Sequence, residues 1–121
     1  MDKNIIRNKS FDFALKIVKL SQFLSSEKKE FVLSKQVLRS GTSVGAMVRE
    51  AEHAETKKDF IHKMAIAQKE INETIYWLEL LKETDYITEE KFKKLNDDAV
   101  EIIKIITAIL RTAKSNLNKN R

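Results

Sequence analysis

The chain has 121 residues, enough for one domain, with no cysteine, no proline and two glycines. That composition excludes a disulfide framework, thiolate metal sites and the many tight turns of an all-β fold. A net charge of +5 mildly favours polyanionic partners, and no stretch approaches the roughly 20 apolar residues of a membrane span.

Four amphipathic segments are expected, near 10–25, 29–54, 57–83 and 88–115, within one domain spanning 1–121 whose ends, 1–9 and 116–121, are expected to fray. In the first, Ser10 is placed as a cap. Phe11, Ala14, Leu15 and Val18 form one apolar row, and Phe13, Ile17, Leu20 and Leu24 form an adjoining one. Together the rows cover more of the circumference than a helix packing against one core needs. Polar residues 25–30 connect to the second segment, where Phe31, Val37, Leu38, Gly41, Val44, Gly45, Val48 and Ala51 share a face. That face is small at its centre, Ser40-Gly41 and Gly45-Ala46, so another helix can approach closely, either inside the bundle or at a subunit contact. No Lys-Ser/Thr follows Gly45 and no strand precedes Gly41, so this is not a phosphate-binding loop.

Thr56, followed three residues later by Asp59, reads as a capping box opening the third segment. Its main row is Phe60, Met64, Ala67, Ile71, Ile75 and Leu78, while Ile66, Trp77 and Leu80 point elsewhere. After a turn at 83–88, Thr88 with Glu89 and Glu90 gives a cap and an acidic first turn to the fourth segment. This is the most apolar, carrying Phe92, Leu95, Ala99, Ile102, Ile103, Ile106, Ile109 and Leu110. Short polar connections force antiparallel neighbours, so the expected fold is an all-α, left-handed, up-down-up-down four-helix bundle.

Glu50-x-x-His53, echoed by Asp59-x-x-His62, has the spacing of bundle di-iron sites. Both pairs fall away from the apolar faces, so they read as solvated surface, and no metal or other cofactor is expected. No Ser, His and carboxylate arrangement can be assembled, and no enzyme is expected. The remaining feature is a basic stripe on the second helix, Lys35, Arg39 and Arg49, continued by Lys57 and Lys58. It reads either as a set of phosphate contacts or as a solvated face paired with acids of a neighbour. Beyond Ala113 the chain is basic and acid-free, with Lys114, Lys119 and Arg121, and Arg111 just before them makes this tail the next candidate.

The wording SKQVLRSGTSVGAMVREAE, then KKDFIHKMAIAQKEINET and TDYITEEKF, resembles the four-helix-bundle proteins encoded in intervening sequences of bacterial 23S ribosomal RNA. The accessory variability protein of diversity-generating retroelements is related to that group. The N-terminus, with no long apolar run after its basic residues, sets the expectation of a cytoplasmic protein, and the resemblance implies a bacterial bundle, in some members a homopentamer whose basic surface binds nucleic acid. On that basis the expected function is a non-enzymatic oligomer binding RNA or DNA backbone, accessory to a ribosomal RNA or reverse-transcriptase assembly. The alternative is a protein-interaction scaffold that meets acidic protein. The expected subunit contact is the surplus apolar surface at Phe13, Ile17, Leu20, Ile66, Trp77 and Leu80.

Overall fold

The computed structural model describes residues 3–119, with side chains from Ile5 onward. Four helices follow one another, α1 (Lys3–Ser26), α2 (Leu33–Glu52), α3 (Lys57–Glu83) and α4 (Glu89–Lys119), and no strand occurs among the described residues. Successive helices pack against each other and α4 returns beside α1, which is the up-and-down four-helix arrangement.

Two ends differ from the sequence expectation. Helix α1 starts at Lys3 rather than near Ser10, because the apolar phase continues backward: Ile6 is buried one further turn along the Phe13 row. Ser10 is therefore a buried mid-helix residue, its hydroxyl donating to the Arg7 carbonyl at 3.1 Å, and not a cap. Helix α4 continues to Lys119, so 116–119 are helical rather than frayed. Residues 1, 2, 120 and 121, also assigned to fraying, lie outside the described residues.

The core takes one stripe from each helix, including Phe13, Ile17, Leu20 and Leu24 from α1 and Val37, Val44 and Val48 from α2. Met64, Ile71 and Leu78 come from α3, and Leu95, Ile102 and Ile106 from α4. The small centre of α2 explains how α1 and α3 both come close to it. A Cβ placed on Gly41 would lie 2.8 Å from both γ carbons of Ile17, and one on Gly45 would lie 3.5 Å from the Ser10 carbonyl oxygen. On the α3 side, Thr74 donates to the Ser40 hydroxyl at 2.9 Å within a fully buried contact. Hence the glycine pair serves packing inside the bundle.

Helix α2 begins at Leu33, four residues later than expected, because Lys29 takes a left-handed φ of 54° and reverses the chain. Phe31, expected on the buried face, lies in this connection and is 54% exposed. Glu30 then accepts from the Ser34 amide at 2.8 Å, capping a helix whose own N-cap, Val32, cannot. The Ser34 hydroxyl donates to the Ser21 carbonyl at 3.1 Å and lies 2.8 Å from the Ser21 hydroxyl, so the buried polar groups at the α1–α2 corner satisfy each other. The Thr56 cap forms as expected, its hydroxyl accepting from the Asp59 amide at 3.0 Å, and Thr88 accepts likewise from Lys91 at 3.1 Å.

Candidate nucleic-acid interface

The stripe on α2 does not survive as a single surface. Lys35 and Arg49 are fourteen residues apart, which at 1.5 Å per residue separates them by about 21 Å along α2. Between them Arg39 turns toward α3, donating to Glu70 at 3.2 Å and also pairing with Glu73. Glu70 is 8% exposed, so Arg39 is the counter-charge of a nearly buried carboxylate and is not free for phosphate. Arg49 lies over the ring of Phe11, 5.2 Å from its centroid. Lys57 and Lys58 sit at the start of α3, at the Arg49 end of the bundle and far from Lys35. Sequence reasoning could not place Glu70 and Glu73 opposite Arg39, because that pairing crosses between helices.

A different face is better segregated. On α3, Lys58, His62, Ala65, Lys69, Asn72 and Tyr76 recur at alternating steps of four and three, which puts them on one side of the helix. Along α4, Val100, Lys104, Thr107, Arg111, Lys114 and Asn118 follow the same steps. Gln68 donates to the Thr107 hydroxyl at 3.0 Å and fixes these two rows side by side, and all five of the cations are exposed. Every acid in the same spans is directed elsewhere. Glu70 and Glu73 are held by Arg39 on the α2 side, and Glu101 is held by Lys9 of α1 at 2.9 Å. Asp59 borders a hollow shared with Arg49 and Glu50 of α2 and with His53, which caps that helix. Lys58, Lys69, Lys104, Arg111 and Lys114 form no ion pair among the described residues.

Both seams with neighbouring helices carry ion pairs, although Lys19, Lys28, Lys35, Arg49, Lys57 and Lys91 elsewhere on the bundle also form no ion pair among the described residues. The α1–α4 seam is closed by Lys16–Asp98 at 2.6 Å beside Lys9–Glu101, and α2–α3 by Lys63–Glu50 at 3.1 Å beside the Arg39 cluster. Near the start of α4, Lys93 donates to Asp97 at 2.8 Å, and that hydrogen bond raises its pKa above the ordinary lysine value. Glu50 of the Glu50–His53 pair is engaged by Lys63. Among the described residues no three His, Asp or Glu side chains gather as a metal site.

The expected subunit contact also changes. Phe13, Ile17 and Leu20 are at most 1% exposed and belong to the core of the single chain, so they cannot form an interface. The reason is phase: Ile6, Ser10 and Leu24 share their row, and it is this row that meets Gly41. Ile66, Trp77 and Leu80 are half-buried. The exposed apolar surface is instead the other row of α1, with Phe11 at 48% and Leu15 at 47%, together with Phe31 and Val32 of the connection.

The family model of the 23S rRNA-intervening sequence proteins matches residues 2–108. The chain belongs to this family. It is also similar to a solved structure from Bacteroides thetaiotaomicron, a protein of unknown function from the S23 ribosomal protein family, at 54% identity and a TM-score of 0.90. That alignment covers 92% of this chain and 99% of the other. No curated protein matches. Within this intervening-sequence protein, Lys58, Lys69 and Lys104 fall inside the span matched by the family model, while Arg111 and Lys114 lie beyond it. No helix among the described residues is long and apolar enough to cross a membrane.

Proposed function

We propose that this intervening-sequence protein is a non-enzymatic helical bundle that binds RNA or DNA backbone through the outer face of α3 and α4. The observation that carries the reading is the stretch of the two rows that holds no acid, Lys58 to Tyr76 on α3 beside Val100 to Asn118 on α4: five unpaired cations along two helices pinned together by Gln68 and Thr107. Lysine and arginine at helical spacing hold phosphates without reading bases, and an unneutralised surface attracts them over a distance of about a Debye length. The α2 stripe contributes less, because Arg39 is already committed to Glu70 and Glu73.

Assembly into a homo-oligomer belongs to the same proposal. The apolar row of Phe11 and Leu15, bordered by Phe31, supplies the motive, since covering it removes exposed aromatic and aliphatic surface from water. That row lies on the α1–α2 side, opposite the α3–α4 face, so a ring closed through it would repeat the basic face on every subunit. A pentamer is the number that the family resemblance implies, and repetition of weak contacts would raise avidity by orders of magnitude.

The test is a triple variant, Lys69→Glu, Lys104→Glu and Arg111→Glu. All three residues are exposed and unpaired, so the fold should be unchanged by circular dichroism. Binding to a labelled 20-nucleotide RNA should fall at least tenfold, and the slope of log K against log salt should flatten by about 0.7–0.9 for each lost contact. Unchanged affinity and slope would overturn the proposal. Loss of binding on mutating Lys35 and Arg49 alone would return the site to α2. Capture of an acidic protein by a chain that binds no nucleic acid would favour the scaffold reading.

A further inference from the structure

Tyr76 ends the acid-free part of this row of α3, which continues in the same phase to the exposed Glu79 and Glu83, and the residue is 55% exposed, which an aromatic side chain on a core-packed helix needs a reason to be. The ring is also held in place. Trp77 meets it edge-on, with centroids 5.0 Å apart and planes at 64°. Trp77 in turn donates its indole N–H to Glu73 at 3.0 Å, and Glu73 is clamped by Arg39. An exposed aromatic face fixed from behind is the arrangement that gives stacking at low entropic cost.

From Tyr76 the row runs through Asn72, Lys69 and His62 to Lys58, eighteen residues and about 27 Å of helix. Lys104, Arg111 and Lys114 accompany it on α4, whose axis lies roughly 8–10 Å away at ordinary helix-packing distance. Side chains from both helices therefore border a single shallow track. A strand laid in it would have cations on either side and one aromatic platform at the end. Bases in a duplex are already stacked and paired, and they cannot reach such a platform without being flipped out.

We infer that this track takes single-stranded polynucleotide, with Lys69, Lys104 and Arg111 on the backbone and the Tyr76 ring stacked on a base. This rests on the nucleic-acid reading proposed above and narrows its ligand. Arg39 then acts as a positioning residue, through Glu73 and Trp77, and touches no phosphate.

The experiment measures anisotropy of a labelled 20-nucleotide oligouridine, oligothymidine and a 20-base-pair RNA duplex with the parent, Tyr76→Ala, Tyr76→Phe and the triple charge variant. Tyr76→Ala should weaken oligouridine binding about 5-fold to 100-fold, the range of one lost base stack. Duplex binding should stay the same, and Tyr76→Phe should bind like the parent because the ring and not the hydroxyl does the stacking. The oligouridine and oligothymidine arms assign the strand to RNA or DNA. If Tyr76→Ala binds oligouridine as the parent does, or weakens both single strand and duplex equally, the inference fails while the charge-based reading stands. If the parent binds none of the three, both fail.

Discussion

Replacing each glycine of α2 by alanine should move stability in opposite directions. Either change removes the helix-propensity deficit of glycine, a gain of about 1 kcal/mol. At Gly45 the new methyl meets the Ser10 carbonyl oxygen and hydroxyl at 3.5 Å, ordinary contact, so the gain is kept. At Gly41 it meets both Ile17 γ carbons at 2.8 Å, 0.6 Å inside the 3.4 Å where ordinary contact begins. Rotation about χ1 cannot help, because both branches of Ile17 are involved and the residue is 0% exposed. Overpacking of that kind costs about 1–3 kcal/mol, which outweighs the propensity gain. At roughly 3–5 °C per kcal/mol for a chain of this size, Gly45→Ala should raise Tm by up to about 5 °C. Gly41→Ala should instead lower Tm by several degrees in differential scanning calorimetry. A Gly41→Ala variant as stable as Gly45→Ala would refute the close approach of α1 to α2 on which the fold is argued.

Removing Arg39 leaves Glu70 nearly buried without its counter-charge, so Arg39→Ala should cost about 1–2 kcal/mol in urea unfolding, whereas Arg49→Ala should stay within about 0.5 kcal/mol. For the same reason the pair Arg39→Glu and Arg49→Glu is a poor probe of ligand binding, since a third carboxylate would join Glu70 and Glu73. Ser34→Ala removes the hydroxyl that ties the α1–α2 corner and should cost about 1 kcal/mol, while exposed Ser26→Ala should be neutral. Phe11→Ser with Leu15→Glu should keep the circular dichroism spectrum and convert the proposed oligomer to monomer in light scattering. Retention of the parent mass would remove that row from the interface.

The four helices were legible because their apolar periods are long and their connections short, and Thr56 and Thr88 marked two starts correctly. The start of α1 was not legible, because Ile5 and Ile6 stand among charged and amide residues and Ser10 looks like a cap until Gly45 is seen against it. Which row of α1 is buried was not legible either, because the Phe13 row reads in sequence as surplus apolar surface. The sequence offered two adjoining apolar rows, Phe11-Leu15 and the longer Phe13-Ile17-Leu20-Leu24, and the missing side chain of Gly41 on α2 is what admits the second. The basic face was hidden for a related reason. Glutamates 70, 73, 79 and 83 make α3 look evenly charged, and the alternating steps from Lys58 to Tyr76 stand out only once the phase shared with α4 is known. Arg39, in contrast, stood out in sequence and proved to be structural, because its partners lie more than thirty residues away.

Lysine acetylation of the parent protein, read by mass spectrometry with and without saturating single-stranded RNA, tests the location of the interface most directly. Lys58, Lys69, Lys104 and Lys114 should become protected when RNA is added, while Lys19, Lys28 and Lys35 keep their reactivity. Protection centred on Lys35, with Lys69 and Lys104 still fully reactive, would contradict the account.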